Sequence, residues 1–458
     1  MNGDAPEDND APVSARRSGR RLTVITIVIS VLTGLASFAL FMAVGYGALP
    51  GDPSVFRQRI AEGFAHKQLV EDPYQEGSTT IGSHQWNDCL IIVMASDQRG
   101  DRDRLALAPL VMEFDQGLDM ATNPCAVLSA LNKGEKPNAT LYYYDRYLHG
   151  AVVLLRYALP HVGIGQVRAV YRKAISACLL LSLALVVAGL WRGRNPRAFA
   201  VLGVSTLAFM RYFGLESFSQ SLGHGPADAV IALYLLTLCV MAFVPVGLTV
   251  ALIAAAIFGA LTIIFELFTG GVPIGLAMVI ALTPLVIRPG VRPLHASAAA
   301  SAAFLGAGAV LYLVRMVAIA LAGTTGVASD TVSEILRLTI LSPEGPHLGV
   351  AARNLVQSIG VLTGGMGLLS AGTIALALVA GALGFVSLWT RDRSESVREE
   401  TLMLAISAAI TPLWCAGFTV LMVNHAWFTD RVLVWPIAAG FGLFFMALLE
   451  KGSQAQPA

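Results

Sequence analysis

Residues 22–49 read LTVITIVISVLTGLASFALFMAVGYGAL, a run without one charged side chain. Crossing a hydrocarbon core takes roughly 20 consecutive apolar residues in a helix, so this stretch is long enough to span a membrane. It is also too long for the apolar centre of a cleavable signal peptide and lacks a small-x-small cleavage site, which makes it a retained first helix. Four arginines, Arg16, Arg17, Arg20 and Arg21, stand directly before it. Further apolar segments follow, and short basic hinges separate alternate pairs of them. These hinges are Arg192, Arg194 and Arg197, then Arg288 and Arg292, then Arg391, Arg393 and Arg398, with Lys451 after the last segment. Short loops on the cytoplasmic side collect Lys and Arg. All the hinges fall on one side if about ten helices run over 22–49, 167–191, 197–213, 226–243, 246–265, 271–287, 295–322, 368–390, 401–423 and 431–449. The expected fold is an all-α polytopic membrane protein with both termini cytoplasmic. Its parts are a basic tail (1–21), the first transmembrane helix (22–49), an extracytoplasmic loop subdomain (50–166), a transmembrane bundle (167–450) and a short tail (451–458).

Composition points the same way. Hydrophobic residues make up 55% of the 458 positions and charged ones 13%, against about 25% charged in a soluble domain. The net charge of +1 carries little, since the placement of charge matters more than its sum. Cys178, Cys239 and Cys415 fall inside apolar segments, where a thiol acts as a small hydrophobe. Cys89 and Cys125 share the long polar loop instead. In an oxidising space they can pair as a disulfide; otherwise they are two buried thiols. No Cys-x-x-Cys spacing suggests zinc, no Gly-rich nucleotide loop suggests ATP, and no Gly-x-Ser-x-Gly element suggests a serine hydrolase. Nothing points to nucleic acid. The two halves share no spacing, which weakens the case for a transporter built on inverted repeats.

Three groups of residues could carry chemistry on the outer side. The loop ends in Tyr142-Tyr143-Tyr144-Asp145-Arg146-Tyr147-Leu148-His149-Gly150 and runs into an apolar stretch, 151–160, holding Arg156 and Tyr157. Aromatic and basic residues beside an apolar face mark a helix lying in the interface plane. Arg146 and His149 then either hold a lipid-linked headgroup or belong to an anchoring belt. Acidic residues form the second group: Asp52, the pair Glu71-Asp72, and Asp88 ahead of the apolar run Leu90–Ala95. A carboxylate at the mouth of such a run is partly desolvated, which raises its pKa and suits a general base; it could equally cap a helix. Asp101 and Asp103, alternating with Arg99, Arg102 and Arg104, read as a solvated charge run. Basic residues on the side where they are normally depleted make the third group. They are Arg168, Arg172, Lys173, Arg211, Arg315, Arg353 and Arg431, with Arg315 inside a span. An anionic ligand such as a lipid phosphate would compensate them, as would internal pairing with Glu216, Asp228, Glu266, Glu334 or Asp430. Glu266 sits in a tight outer turn, and His425 lies in the polar turn Asn424–Arg431 beside Trp427 and Phe428.

This layout resembles the GT-C superfamily of membrane glycosyltransferases. The resemblance rests on the first helix, the long first outer loop, the interfacial stretch 147–160 and the following bundle. The motif match is limited to Asp52 alone before Pro53, to Glu71-Asp72, and to the Arg146–Gly150 and His425–Phe428 elements. The resemblance implies a cytoplasmic N-terminus, juxtamembrane helices within the loop and location in the bacterial inner membrane with the active side extracytoplasmic. It also implies transfer of a sugar from a polyprenyl-phosphate donor to an envelope glycan or lipid acceptor. In that scheme Asp88, Glu71 or Asp72 takes the acceptor proton, Arg146, Arg211, Arg315, Arg353 and Arg431 hold phosphate, and His149, His425 and Glu266 orient substrate. No cofactor and no metal are expected, because arginines can stabilise the lipid-phosphate leaving group. A lipid-linked oligosaccharide flippase, or a polymerase or ligase using undecaprenyl-pyrophosphate substrates, remains the alternative.

Overall fold

The computed structural model describes residues 11–49, 52–76, 79–81, 85–96, 100–114, 123–135, 139–212, 221–266, 270–323, 327–339, 349, 368–391, 393–418 and 430–454. The first helix, α1, runs over Ala11–Gly47 and carries its arginines on its own first turns. After the loop subdomain come α7 (Ile164–Trp191), α8 (Pro196–Tyr212), α9 (Gly225–Phe243), α10 (Leu248–Phe265), α11 (Gly271–Val286) and α12 (Pro293–Leu321). Among the described residues eight helices are long and apolar enough to cross a membrane, so this is a multi-pass, predominantly helical membrane protein. The 17 residues of α8 and the 16 of α11 fall short of that length. They nevertheless pack among the others, and nearly every residue of α11 is buried. A short amphipathic helix (Val327–Leu338) and three more long helices (Leu368–Thr390, Glu395–Gly417 and Val434–Gln454) follow; we number these α13 to α16.

Small residues set the helix spacing. A Cβ on Gly259 of α10 would overlap the carbonyl of Phe304 on α12, and one on Gly384 of α14 would run into Leu443 of α16. Without an apolar driving force between helices in lipid, such close backbone approach is what dispersion needs. Lipid-facing positions are correspondingly apolar: Val24 and Ile27 on α1 are 58% and 57% exposed, which only a hydrocarbon environment tolerates in such numbers.

The loop folds on one end of this bundle. It contains α2 (Pro53–Ala65), α3 (Gln85–Ser96), α4 (Arg102–Leu107), α5 (Pro124–Asn132) and α6 (Gly150–Ala158). Two antiparallel ribbons complete it, pairing 74–76 with 79–81 and 110–114 with 139–143. Asp52 caps α2, accepting from the Ser54 amide at 2.8 Å, with Pro53 at the first helical position where a missing N–H costs nothing. The apolar run Leu90–Ala95 forms the buried face of α3, in a core with Phe56, Ile60, Leu69, Leu128, Val152 and Leu155. A disulfide joins Cys89 of α3 to Cys125 of α5.

Two expectations need correction. The stretch 151–160 is not a helix lying open on the interface: α6 is wedged between the loop core and the bundle, and Arg156 is buried while Tyr157 stays exposed. The Arg99–Arg104 run is not uniformly solvated. Asp101 caps α4, and helical periodicity turns Arg104 inward to 5% exposure.

Candidate functional site

The segment leaving the 110–114/139–143 ribbon forms a hook at the seam between loop subdomain and bundle. Its backbone is held by α12. Arg315, fully buried in that helix, donates Nη1 to the Asp145 carbonyl at 2.6 Å, Nη2 to the Tyr147 carbonyl at 2.6 Å and Nε to the Leu107 carbonyl at 3.2 Å. Tyr312, one turn away, donates its hydroxyl to the Arg146 carbonyl at 3.0 Å. Three consecutive carbonyls are thus bound by one helix face. Arg156 works the same way from α6, donating to the carbonyls of Leu105 and Met94.

His149 ends the hook with φ 57° and ψ 42°, a left-handed conformation that costs a non-glycine residue of order 1–3 kcal/mol. Its carbonyl accepts from the Val152 amide at 2.9 Å, which starts α6. Its ring packs on those of Tyr144 and Tyr147 at 4.9 and 5.9 Å. Nε2 lies 3.1 Å from the Tyr144 carbonyl, and since a carbonyl only accepts, Nε2 carries the proton and Nδ1 the lone pair. Burial, and then the charge of Arg315, push the imidazole down to about 3. It is therefore neutral at physiological pH, a hydrogen-bonding group rather than a base.

Asp145 is the acid of the hook. Arg104 Nη2 donates to its Oδ2 at 2.6 Å, and the same guanidinium lies 4.9 Å from the Tyr143 ring centre. Burial raises the carboxyl above its ordinary value, against the opposing pull of Arg104 and Arg315. The pair is engaged through one oxygen and one nitrogen. Asp145 Oδ1 and Arg104 Nη1 are both buried and have no hydrogen-bond partner among the described residues. Leaving such groups unmatched costs about 1–3 kcal/mol each.

A second node lies where α3 meets α7 and α9. Asp88, in the first turn of α3 and 1% exposed, accepts four hydrogen bonds. Oδ2 takes Arg168 Nη2 at 2.6 Å and Nε at 3.2 Å; Oδ1 takes the Leu222 amide at 2.7 Å and the Ser221 hydroxyl at 2.9 Å. Arg168 also donates to the Gln68 carbonyl at 2.7 Å. Beside them Asn87 Nδ2 meets His224 Nε2 at 3.2 Å. With every lone pair used, Asp88 is a strut joining loop to bundle.

The remaining expected residues scatter. Glu71 accepts from Ser129 and Lys133 of the α5 region at 2.6 and 2.8 Å, and the Lys133 contact, then Ser129, holds its carboxyl below the ordinary value. Asp72 accepts from Asn123 at 2.7 Å. Both acids tie the loop to itself rather than facing the seam. Arg146 is exposed, 6.0 Å from the Tyr144 ring centre. Arg211 is exposed on the last turn of α8. Glu266 caps the end of α10 and is 6% exposed. It is drawn near the hook, because Gly150 packs directly on Ile264 and Phe265. Arg353, His425 and the side chain of Arg431 lie outside the described residues. Residues that the sequence did not single out, Arg104 and Asp145 above all, turn out to share the hook. Their signal was split between an apparently solvated charge run, which holds Arg104, and the tyrosine-rich stretch 41 positions later, which holds Asp145. Among the described residues no group of three or more His, Cys, Asp or Glu could hold a metal ion. No protein family, curated protein or solved structure matches this chain.

Proposed function

We propose that this protein is a GT-C-like glycosyltransferase of the bacterial inner membrane, moving a sugar from a polyprenyl-phosphate donor to an envelope glycan or lipid acceptor on the extracytoplasmic side. In this reading α8 and α11 are short crossings, giving ten spans with both termini cytoplasmic. One observation carries the proposal. The buried acidic, basic and histidine side chains Asp88, Arg104, Arg156, His224, Asp228, Glu266 and Arg315 lie at the subdomain end of the bundle; the exceptions among the described residues are Glu400, paired with Arg197, and the covered side chain of Arg393, paired with Glu450. A surface reaction needs its polar groups at one face, whereas a flippase needs them through the membrane depth. The disulfide supports an extracytoplasmic subdomain, since such bonds persist in oxidising compartments.

Asp145 is then the general base. Its raised pKa and its Oδ1, which lacks a partner, suit it to take a proton from an acceptor hydroxyl, while Arg104 keeps it ionised and oriented. His149 offers its Nδ1 lone pair to a sugar hydroxyl. The exposed Arg146 and Arg211, together with Arg353, His425 and Arg431, supply the phosphate contacts in this reading. Asp88, Glu71 and Asp72 position the subdomain. Purified protein in lipid, given synthetic short polyprenyl-phosphate hexoses or pentoses with a radiolabelled sugar, tests this. Transfer is expected, and Asp145→Asn should cut turnover by about 10²–10⁴-fold, the usual worth of a positioned base, with donor retention unchanged. Absence of transfer from every donor, together with lipid flipping in liposomes, would establish the transporter reading instead.

A further inference from the structure

Helices α1 and α12 touch closely in mid-bundle, where a Cβ on Gly306 would come within 2.8 Å of the Ser30 hydroxyl and Gly34 packs on Ala307 and Val310. Toward the end remote from the subdomain they separate. The opening is a cavity of about 810 Å³ between α1, the start of α10 and the start of α12. Its walls are apolar, with Ile25, Leu248 and Ala302 among them, and its mouth carries Arg21, Arg292 and His295. Flanking positions face lipid: Val24 and Ile27 on α1, Val250 on α10 and Leu294 on α12 are all well exposed. The groove therefore opens sideways into the bilayer. From Gly19 to Ile27 it extends about 12 Å along α1 at 1.5 Å per residue, close to the depth of one leaflet's hydrocarbon, about 15 Å.

The charges around the mouth do not cancel. Arg292 is engaged by Glu395 at 2.7 Å and by Glu399, and Glu399 also feels His295. Arg20 and Arg21 are exposed, and neither enters an ion pair among the described residues. Arg16 and Arg17 precede them in the chain. An apolar slot open to lipid, with Arg21 at its mouth and the exposed Arg20 beside it, suits acyl chains under an anionic headgroup. We propose that this groove binds one anionic phospholipid of the leaflet at the α1 N-terminal end. The site is independent of the transferase reading, because it lies at the opposite end of the bundle from the hook.

Native mass spectrometry of the full chain, released from micelles containing phosphatidylglycerol or phosphatidylcholine, tests this. The wild type should retain one phosphatidylglycerol and no matching phosphatidylcholine. Arg20→Gln with Arg21→Gln should weaken retention by about tenfold to thirtyfold, two interfacial arginines' worth. Because those residues also influence insertion, Ala302→Trp provides a second arm: it fills the slot and leaves every charge in place, so retention should fall equally. Equal retention of the two lipids by wild type, or undiminished phosphatidylglycerol retention in Ala302→Trp, would overturn the proposal.

Discussion

The two ends of the bundle are both rich in arginine, yet they use it differently. At the subdomain end Arg315 and Arg156 are buried and spend their donors on backbone carbonyls, Arg168 divides its own between the Gln68 carbonyl and Asp88, and Arg104 pairs with Asp145. At the far end the exposed Arg292 pairs with the open Glu395 and the mostly covered Glu399. There Arg197 and Arg393 share Glu450 with contacts of 3.6 and 3.1 Å, and Arg194 and Arg288 reach carbonyls from exposed positions. The difference teaches what an arginine buried at the seam between subdomain and bundle can be for. A guanidinium presents five donors in a rigid fork, enough to bind several turns of irregular backbone that would otherwise lie unsatisfied at membrane depth.

The sharpest way to break this contrast is Arg315→Ala. Three carbonyls would lose their buried donors at once, costing about 3–5 kcal/mol. The melting temperature should fall steeply and the 100–149 region become accessible to protease. Arg315→Lys should rescue little, since one ammonium cannot reach all three carbonyls. If Arg315→Ala instead melts like wild type and loses only donor binding, Arg315 is a phosphate ligand and the contrast fails. Asp88→Asn comes next. It leaves Arg168 facing a neutral amide in a buried site, and should cost about 2–3 kcal/mol, at the lower side of broken buried pairs because Arg168 keeps its bond to Gln68. Turnover lost at unchanged stability would restore Asp88 as a base.

His149 gives a pH-dependent test. Its folded pKa is depressed to about 3, below the unfolded value near 6.5. Between those values the unfolded chain binds the extra proton, so stability is lost as pH falls from about 6.5 toward 3. His149→Gln should flatten that part of the profile in a melting series. The smallest effect belongs to the far end: Arg292→Gln should leave the melting temperature nearly unmoved, since Arg292 and Glu395 are exposed and screened and Glu399 keeps its bond from the Leu294 amide. A large drop there would show that the exposed network contributes as much as the buried one.

Much of the fold was legible in the sequence because apolar length is a strong constraint in lipid. The stretches 246–265, 271–287 and 295–322 coincide with α10, α11 and α12 to within two residues. The Cys89–Cys125 pairing was one of two readings left open by loop composition. The roles of the basic residues were not legible, for a physical reason. A carbonyl acceptor carries no residue identity, so nothing in the sequence distinguishes Arg315 binding Tyr147's backbone from Arg315 waiting for phosphate. Asp145 was hidden for a related reason: its partner Arg104 lies 41 positions away, in a run whose neighbours really are exposed.

The disulfide has a consequence for how the protein is made. If the subdomain is extracytoplasmic, as proposed, the apolar face of α3 emerges after α1 and before α7. Asp88 must wait for Arg168, 80 residues later, which at 5–20 residues per second is a delay of roughly 4–16 s. Cys125 arrives after 36 residues, less than half that interval. Closing the bond at that point clamps α3 to α5 and hides part of Leu90–Ala95 before the second membrane helix exists. The bond is in this sense a temporary chaperone written into the chain, and cells lacking oxidising capacity should lose this protein during synthesis rather than after it.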